Sequence, residues 1–359
     1  MERKDLFMFE PQPDYRRFVD ALWRREPDRV PIAELGIDLP IKEQVLGKPI
    51  RDVKTDVEFW YRAGYDYIYL RPAYEFPHTM PSTTNTGRPQ YGDPKEDEAN
   101  IASLSGPGVI ATAKDLDAYP WPDPDNDDYY KPLAEAAACL PQGMGLVSGV
   151  GGIFTRTWML FGLQQFCFAL AEQPDLVAEI FQRVGSIQCA VLRRILKEHK
   201  TVAIWYGDDL AYADSTIVSP RVYRQYLFPW MEQLAAIAHE ANQPFIFHSD
   251  GKVWDVIPDL IAVGVNALHP IEPKAMDINV VKATFGDKLA LIGNIDMDLL
   301  SRGTPEQVRE QVRQRIKDLA PGGGYAVGAN PGISYYVRPE NYDAMRQAVF
   351  EFGTYPITL

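Results

Sequence analysis

Short runs of apolar residues alternate with amphipathic stretches from one end of the chain to the other. The runs begin at Val30 (VPIAELGI), Tyr65 (YDYIYL), Gly143 (GMGLVSGV), Thr201 (TVAIWYGDD), Gln243 (QPFIFHSDG), Asn266 (NALHPIEP), Leu289 (LALIGNID) and Gly324 (GYAVGAN). They have largely lost the period-two alternation of a strand with one wet face, as parallel strands buried on both faces do. Helical patterns lie between them. SPRVYRQYLFPWMEQLAAIAHEAN opens on Ser219 as N-cap with Pro220 in the first turn. TPEQVREQVRQRIKDLAPGGG opens on Thr304-Pro305, carries glutamate early and basic residues late, and ends in proline and glycines. VWDVIPDLIAVGV reads as a shorter helix stopped by Gly264. Eight strands, each followed by a helix or room for one, predict an α/β fold of the closed (β/α)8 TIM-barrel kind. A doubly wound sheet fits less well, because no GxGxxG turn follows the first run.

One segment breaks the rhythm. Residues from about 73 to 141 separate the second and third runs and hold GRPQYGDPKEDE, SGPGVI and YPWPDPDNDD. Proline and aspartate turns with short β-prone runs predict an irregular hairpin insertion, either a lid or binding loop or mere decoration. No internal repeat or linker interrupts the 359 residues, so one domain over 1–359 is expected.

Composition narrows the function. Hydrophobic residues make up 46% of the chain, enough for a large core without disulfides or a structural metal. With 36 Lys and Arg against 49 Asp and Glu, the net charge of −13 disfavours nucleic acid as a partner. Cys139, Cys167 and Cys189 are scattered and have no CxxC spacing, so neither a disulfide framework nor a zinc knuckle is indicated. The N-terminal MERKDLFMFEPQPDYRRF is charged and broken by proline, unlike a signal peptide, and no run approaches a membrane span. The expected setting is the cytoplasm, with no membrane partner.

In a barrel, polar groups at the C-terminal ends of the strands are the candidates for chemistry. Here they occur at nearly every such end: Glu34 and Asp38, Arg71, Ser148, Asp208 and Asp209, His248 and Asp250, His269 and Glu272, Asn294 and Asp296, and Asn330. Asp38 and Asp296 also suit helix caps. The sharpest local feature is Phe247-His248-Ser249-Asp250-Gly251. His and Asp two apart on an extended strand share a side, where they can ligate one metal or pair for proton transfer. The plain alternative is a core histidine bonded to a turn aspartate. Asp208 and Asp209 point opposite ways, so one suits the pocket and the other a cap. GGIFTRTWMLFGLQQF places Thr155, Arg156 and Trp158 near the mouth, although Trp and Phe at helical spacing also read as core. His78, His199 and His239 read as loop or helix-surface residues and are assigned nothing.

Taken in order, GDDLAYADSTIVSPRVYRQYLFP, FHSDGKVWDVIPDLIAVGVNALHPIEPKAMD, FGDKLALIGNIDMDLLSRGTPEQVREQV and LAPGGGYAVGANPGI…PENYDAM resemble the uroporphyrinogen decarboxylase superfamily, and its methyltransferase-like branch most. The resemblance implies a (β/α)8 barrel, a homodimer, a small-molecule substrate, and methyl transfer from a small O- or N-methylated compound to a corrinoid supplied by a partner protein. It also departs from both branches. The decarboxylases carry an arginine-rich RQAGR-type motif after the first strand, where this chain reads AELGIDLP, and Glu34 and Asp38 there are expected to repel a polycarboxylate. The zinc methyltransferases use an HxC pair and a later cysteine. His248 matches the histidine, whereas Asp250 and Ala329-Asn330 replace the thiolates.

A divalent metal, zinc or a harder ion, is therefore expected on His248, Asp250 and Glu272, with a metal-free acid/base site as the alternative. Asp208 or Asp209 and Glu272 complete the expected catalytic set. Glu34, Asp38, Arg71, Thr155, Arg156, Trp158, Asn294 and Asn330 are expected to shape the substrate pocket. A lyase or decarboxylase working without corrinoid, and a non-catalytic binding barrel, are the rival readings.

Overall fold

A computed structural model of the chain describes residues 10–77 and 108–359. Its strands form one sheet in chain order: β1 (Tyr67–Tyr69), β2 (Gly145–Gly151), β3 (Thr201–Gly207), β4 (Phe245–His248), β5 (Ala267–His269), β6 (Ala290–Ile292) and β7 (Tyr325–Ala326). Every neighbouring pair is parallel. Sequential order without reversal is the pattern of a barrel-like sheet; a doubly wound sheet reverses at a switch point.

The first expected strand shrinks to a parallel bridge between Ile32 and Val327, beside β7, with a second at Ile37 and Ile333. The Ala33 N–H donates to the Val327 carbonyl at 2.8 Å, and the Val327 N–H to the Pro31 carbonyl at 3.0 Å. Pro31 has no N–H with which to lengthen the ladder. Facing it from β1, the Tyr67 hydroxyl accepts from the Glu34 N–H at 2.9 Å and donates to the Glu34 carbonyl at 3.0 Å. A side chain stands where a backbone ladder would join the two edges of the sheet, and it holds those edges together.

The helix signals are used largely as written. Ser219 accepts from the Arg221 N–H, and Thr304 forms a reciprocal capping box with Gln307 at the head of helix Pro305–Leu319. The helix after Ser219 widens into a π turn over Tyr223–Leu227 before Phe228–Glu240. Pro229 explains this: it lacks an N–H and its ring crowds the carbonyl four residues back. Helix Ile257–Ala262 ends at Gly264, whose φ of +99° suits glycine, and the Val265 N–H closes on the Leu260 carbonyl at 3.0 Å.

The expected hairpin insertion lies in part outside the described residues, and only its later part can be compared with the structure. GRPQYGDPKEDE lies outside the described residues, as does His78. From 108 onward the described segment is helical: Ala113–Ala118, capped by Thr112 and Asp115, and then Lys131–Cys139 with Pro132 in its first turn. The second of these packs between helix Val53–Arg62 and β2, so it occupies the place of the barrel helix between β1 and β2. Capping residues and a first-turn proline outweighed the β-prone runs there. No helix among the described residues is long and apolar enough to cross a membrane.

Candidate active site

The mouth is built from strand ends. β2 and β3 approach so closely that a Cβ on Gly149 would lie 1.8 Å from the Trp205 carbonyl oxygen. The turn after β2 bends through Gly152 at φ +74° into helix Ile153–Phe161, and Gly152 has no side chain with which to cap it. Asp208, just past β3, supplies the cap. Its Oδ2 accepts from the Phe154 N–H at 2.7 Å and the Tyr206 hydroxyl at 2.6 Å. Its Oδ1 accepts from the Thr155 N–H at 2.9 Å and the Thr155 hydroxyl at 2.7 Å. Burial raises its carboxyl to about 6, although these donors oppose the rise. Asp208, expected as one of the catalytic acids, accepts four hydrogen bonds in this cap, and the hydroxyl of Thr155 spends its hydrogen on one of them.

Asp209 turns the other way, onto the end of β4. Its Oδ1 accepts from the Asp250 N–H at 3.1 Å and lies 3.8 Å from His248 Nε2. Ligand atoms of Asp209, His248 and Asp250 all fall within 4.8 Å of one another. Burial pushes the Asp250 carboxyl up to about 6; the His248 ring opposes the rise, and the Asp209 and Glu272 carboxylates add to it. Asp250 Oδ1 is buried with no hydrogen-bond partner among the described residues. Glu272, expected in the metal set, stands aside from this cluster and accepts from the Gly251 N–H at 3.0 Å. The third position of the cluster is held by Asp209.

β4 and β5 place His248 directly beside His269, and their Nδ1 atoms share a hydrogen bond of 2.8 Å. His269 is fully buried, which holds its ring well below the ordinary histidine range, and the neighbouring His248 ring acts in the same direction. Its Nε2 has no partner among the described residues.

That orphaned nitrogen belongs to a wider pattern. Each strand, or the turn that follows it, contributes at least one buried polar side-chain atom without a hydrogen-bond partner among the described residues. They include Glu34 Oε2, Arg71 Nε, Ser148 Oγ, Trp205 Nε1, Asp250 Oδ1, His269 Nε2, Asn294 Oδ1 and Asn330 Oδ1, with Trp158 Nε1 in the helix after β2. An unpaired buried polar group costs about 1–3 kcal/mol, so polar atoms left over at strand end after strand end are suited to a polar ligand or water.

The other expected pocket residues divide. Glu34 is fully buried; its Oε1 accepts from the Ala329 N–H at 2.8 Å, and burial lifts its carboxyl to about 8. Burial therefore favours its neutral carboxyl over the carboxylate that repulsion of a polycarboxylate needs. Arg156 donates from Nε to the Gly151 carbonyl at 3.2 Å and lies over the Phe76 ring at 4.5 Å. Burial lowers its guanidinium to about 10, so it stays charged at neutral pH. Asn294 donates from Nδ2 to the Ile271 carbonyl at 2.9 Å, which leaves its oxygen for the cavity. Asp296 caps helix Met297–Arg302, and Asp38 accepts from the Tyr335 N–H at 2.7 Å, fixing the loop after β7. Trp205 was legible only as core; its mid-strand place facing the barrel interior was the available signal. His269, singled out only weakly beside Glu272, is drawn into the site by its strand register with His248.

The parallel sheet in chain order, with ionisable groups gathered at its carboxyl ends, is the α/β architecture of barrel enzymes. The chain belongs to the uroporphyrinogen decarboxylase family, whose model matches residues 98–352. The uroporphyrinogen decarboxylase of Pseudoalteromonas translucida is 30% identical over 142 residues, which cover 38% of this chain and 39% of that protein. The Pseudomonas fluorescens enzyme of the same name is 24% identical over 264 residues, which cover 68% of this chain and 70% of its own. The matched region thus spans from well under half to about two thirds of these curated relatives. Among solved structures, a methyltransferase from Methanosarcina mazei superposes with a TM-score of 0.68 at 17% identity, covering 94% of this chain and 98% of that one. This last likeness is one of fold.

Proposed function

We propose that the protein is a methyltransferase that takes a methyl group from a small O- or N-methylated compound and passes it to a corrinoid carrier held by a partner protein. The observation that carries this reading is the trio of Asp209, His248 and Asp250, with ligand atoms within 4.8 Å of one another, at strand ends that also carry buried polar atoms without a partner among the described residues. The fold likeness to a methyltransferase from Methanosarcina mazei supports it.

In such a transfer the bond between the methyl carbon and its oxygen or nitrogen breaks, and the carbon bonds to the reduced cobalt of the carrier. The heteroatom departs with the electron pair and needs a proton or a cation. The three side chains fit a divalent cation: one imidazole and two carboxylates offer a harder donor set than thiolates, and a buried Asp250 oxygen lacks any other partner. When bound, such a cation supplies Lewis-acid stabilisation of the leaving atom. The Asp250 N–H holds Asp209 in place, and the Gly251 N–H holds Glu272 beside the cluster. Asn294, Asn330 and Arg71 offer the cavity unpartnered polar atoms that would orient the substrate.

A second reading, a decarboxylase or lyase acting without corrinoid, is favoured by one observation. Glu34 is neutral, while Arg156 remains charged and near enough to Arg71 for the two charges to interact. One assay separates the two. The purified protein is incubated with a reduced corrinoid protein and a panel of methoxylated and methylamine donors, and the corrinoid spectrum and carbon dioxide release are both followed. Donor-dependent methylation of the corrinoid is expected. Carbon dioxide release from a carboxylated substrate without corrinoid would replace this reading with the second, and silence in both channels with tight ligand binding would leave a binding barrel.

A further inference from the structure

We propose that His248 and His269 form a two-tautomer switch that couples a cation on the rim to a hydrogen-bond donor inside the barrel, so that the ligand taken with the cation carries an acceptor atom for His269 Nε2. This rests on reading Asp209, His248 and Asp250 as cation ligands.

The geometry leaves two arrangements of the same protons. The Nδ1 atoms lie 2.8 Å apart, and a contact between two ring nitrogens at that distance holds one hydrogen. In the first arrangement His269 Nδ1 donates. His269 Nε2 is then a bare lone pair, and His248 Nε2 carries its hydrogen toward Asp209, 3.8 Å away. In the second, His248 Nδ1 donates. His248 Nε2 then presents its lone pair to the rim, and His269 Nε2 carries the hydrogen into the interior. The net charge of the pair is the same in both.

The surroundings choose between them. A buried N–H without a partner is rarer than a buried acceptor without one, and His269 is fully buried with Nε2 unpartnered among the described residues. Without a cation the first arrangement is therefore preferred, and it also aims a hydrogen at the Asp209 carboxylate. A cation on His248 Nε2 needs that lone pair and so imposes the second. The donor that then appears on His269 Nε2 belongs to a ring that also packs against Trp205, with centroids 5.1 Å apart in a T-shape. No protein acceptor serves it among the described residues, which leaves the place to a water or to a ligand atom that displaces it.

The test uses the full chain with 15N-labelled histidine. Two-bond 1H–15N spectra report the protonated nitrogen of each ring, and five histidines keep the spectrum assignable with His248→Ala and His269→Phe as references. Without metal, His269 is expected as the Nδ1–H form and His248 as the Nε2–H form. Zinc ion alone should shift His248 Nε2 and convert His269 to the Nε2–H form. His269→Phe should weaken zinc binding by about 10- to 100-fold, and His269→Gln, whose amide oxygen can accept from His248 Nδ1, should restore most of it. If zinc shifts His248 while the His269 tautomer stays put, the switch is overturned and the cation site stands. If zinc leaves His248 untouched, the cation reading itself fails and takes the switch with it. Should His269→Phe not fold, the spectra of the native protein decide alone.

Discussion

Glu34 offers the most direct test of the physical picture. Its carboxyl has an ordinary value of 4.5 and is lifted to about 8 by complete burial, against a single backbone donor from Ala329. The folded protein therefore keeps a proton that the unfolded chain releases above about pH 4.5. Stability falls as pH rises from there, and the loss is complete once pH passes about 8. Each pH unit between the two values is worth about 1.4 kcal/mol, which gives a cost on the order of 3 kcal/mol at pH 7 and 4 to 5 kcal/mol above pH 9. Glu34→Gln keeps the shape and the acceptor for the Ala329 N–H but has nothing to ionise. Urea unfolding of both proteins at pH 5 and pH 8.5 isolates the effect, because every other titrating group cancels in the comparison. Between the two conditions the variant should gain about 4 kcal/mol on the parent. Parallel stabilities at the two pH values would show that Glu34 is ionised in the folded state, and the neutral-acid reading of the first strand end would be abandoned.

Three further outcomes follow from the same structure. Asp208→Ala strands the N–H groups of Phe154 and Thr155 and the Tyr206 hydroxyl, so a loss of about 3–5 kcal/mol is expected in urea unfolding; an unchanged midpoint would remove Asp208 as the cap. His248→Ala should reduce turnover by about 10²–10⁴-fold with a change in Tm of only a few degrees, and full activity would exclude an acid/base or ligand role for the ring. Gly149→Ala forces a methyl into the Trp205 carbonyl, so the variant should unfold at a markedly lower temperature or fail to accumulate; a native melting curve would contradict the close approach of β2 and β3.

Much of the fold was legible because burial on both faces leaves a plain mark on the chain. All seven paired strands begin within two residues of the starts of expected apolar runs, and Ser219, Thr304 and Gly264 cap or stop helices as their side chains or lack of one dictate. The first strand and the hairpin were less legible, because Pro31 shortens a ladder and Thr112 caps a helix through contacts that an apolar count does not register. In the site, the sequence brought out the strand-end polar residues but not the division of labour among them. Asp208 and Asp209 are adjacent and chemically identical, yet one is consumed by the N-terminus of a helix on the neighbouring strand and the other faces His248.

From order along the chain, then, came the strand-and-helix alternation, the family, and the placing of ionisable groups at the carboxyl ends of strands. The tertiary structure alone decided which of those groups carry charge, which nitrogen of a ring meets which neighbour, and which acceptors are left unpaired. The reason is one of range. Apolar periodicity and capping act over a few residues, whereas desolvation and hydrogen-bond partnership depend on atoms that lie side by side in space while far apart in the chain, as Glu34 and Ala329 do.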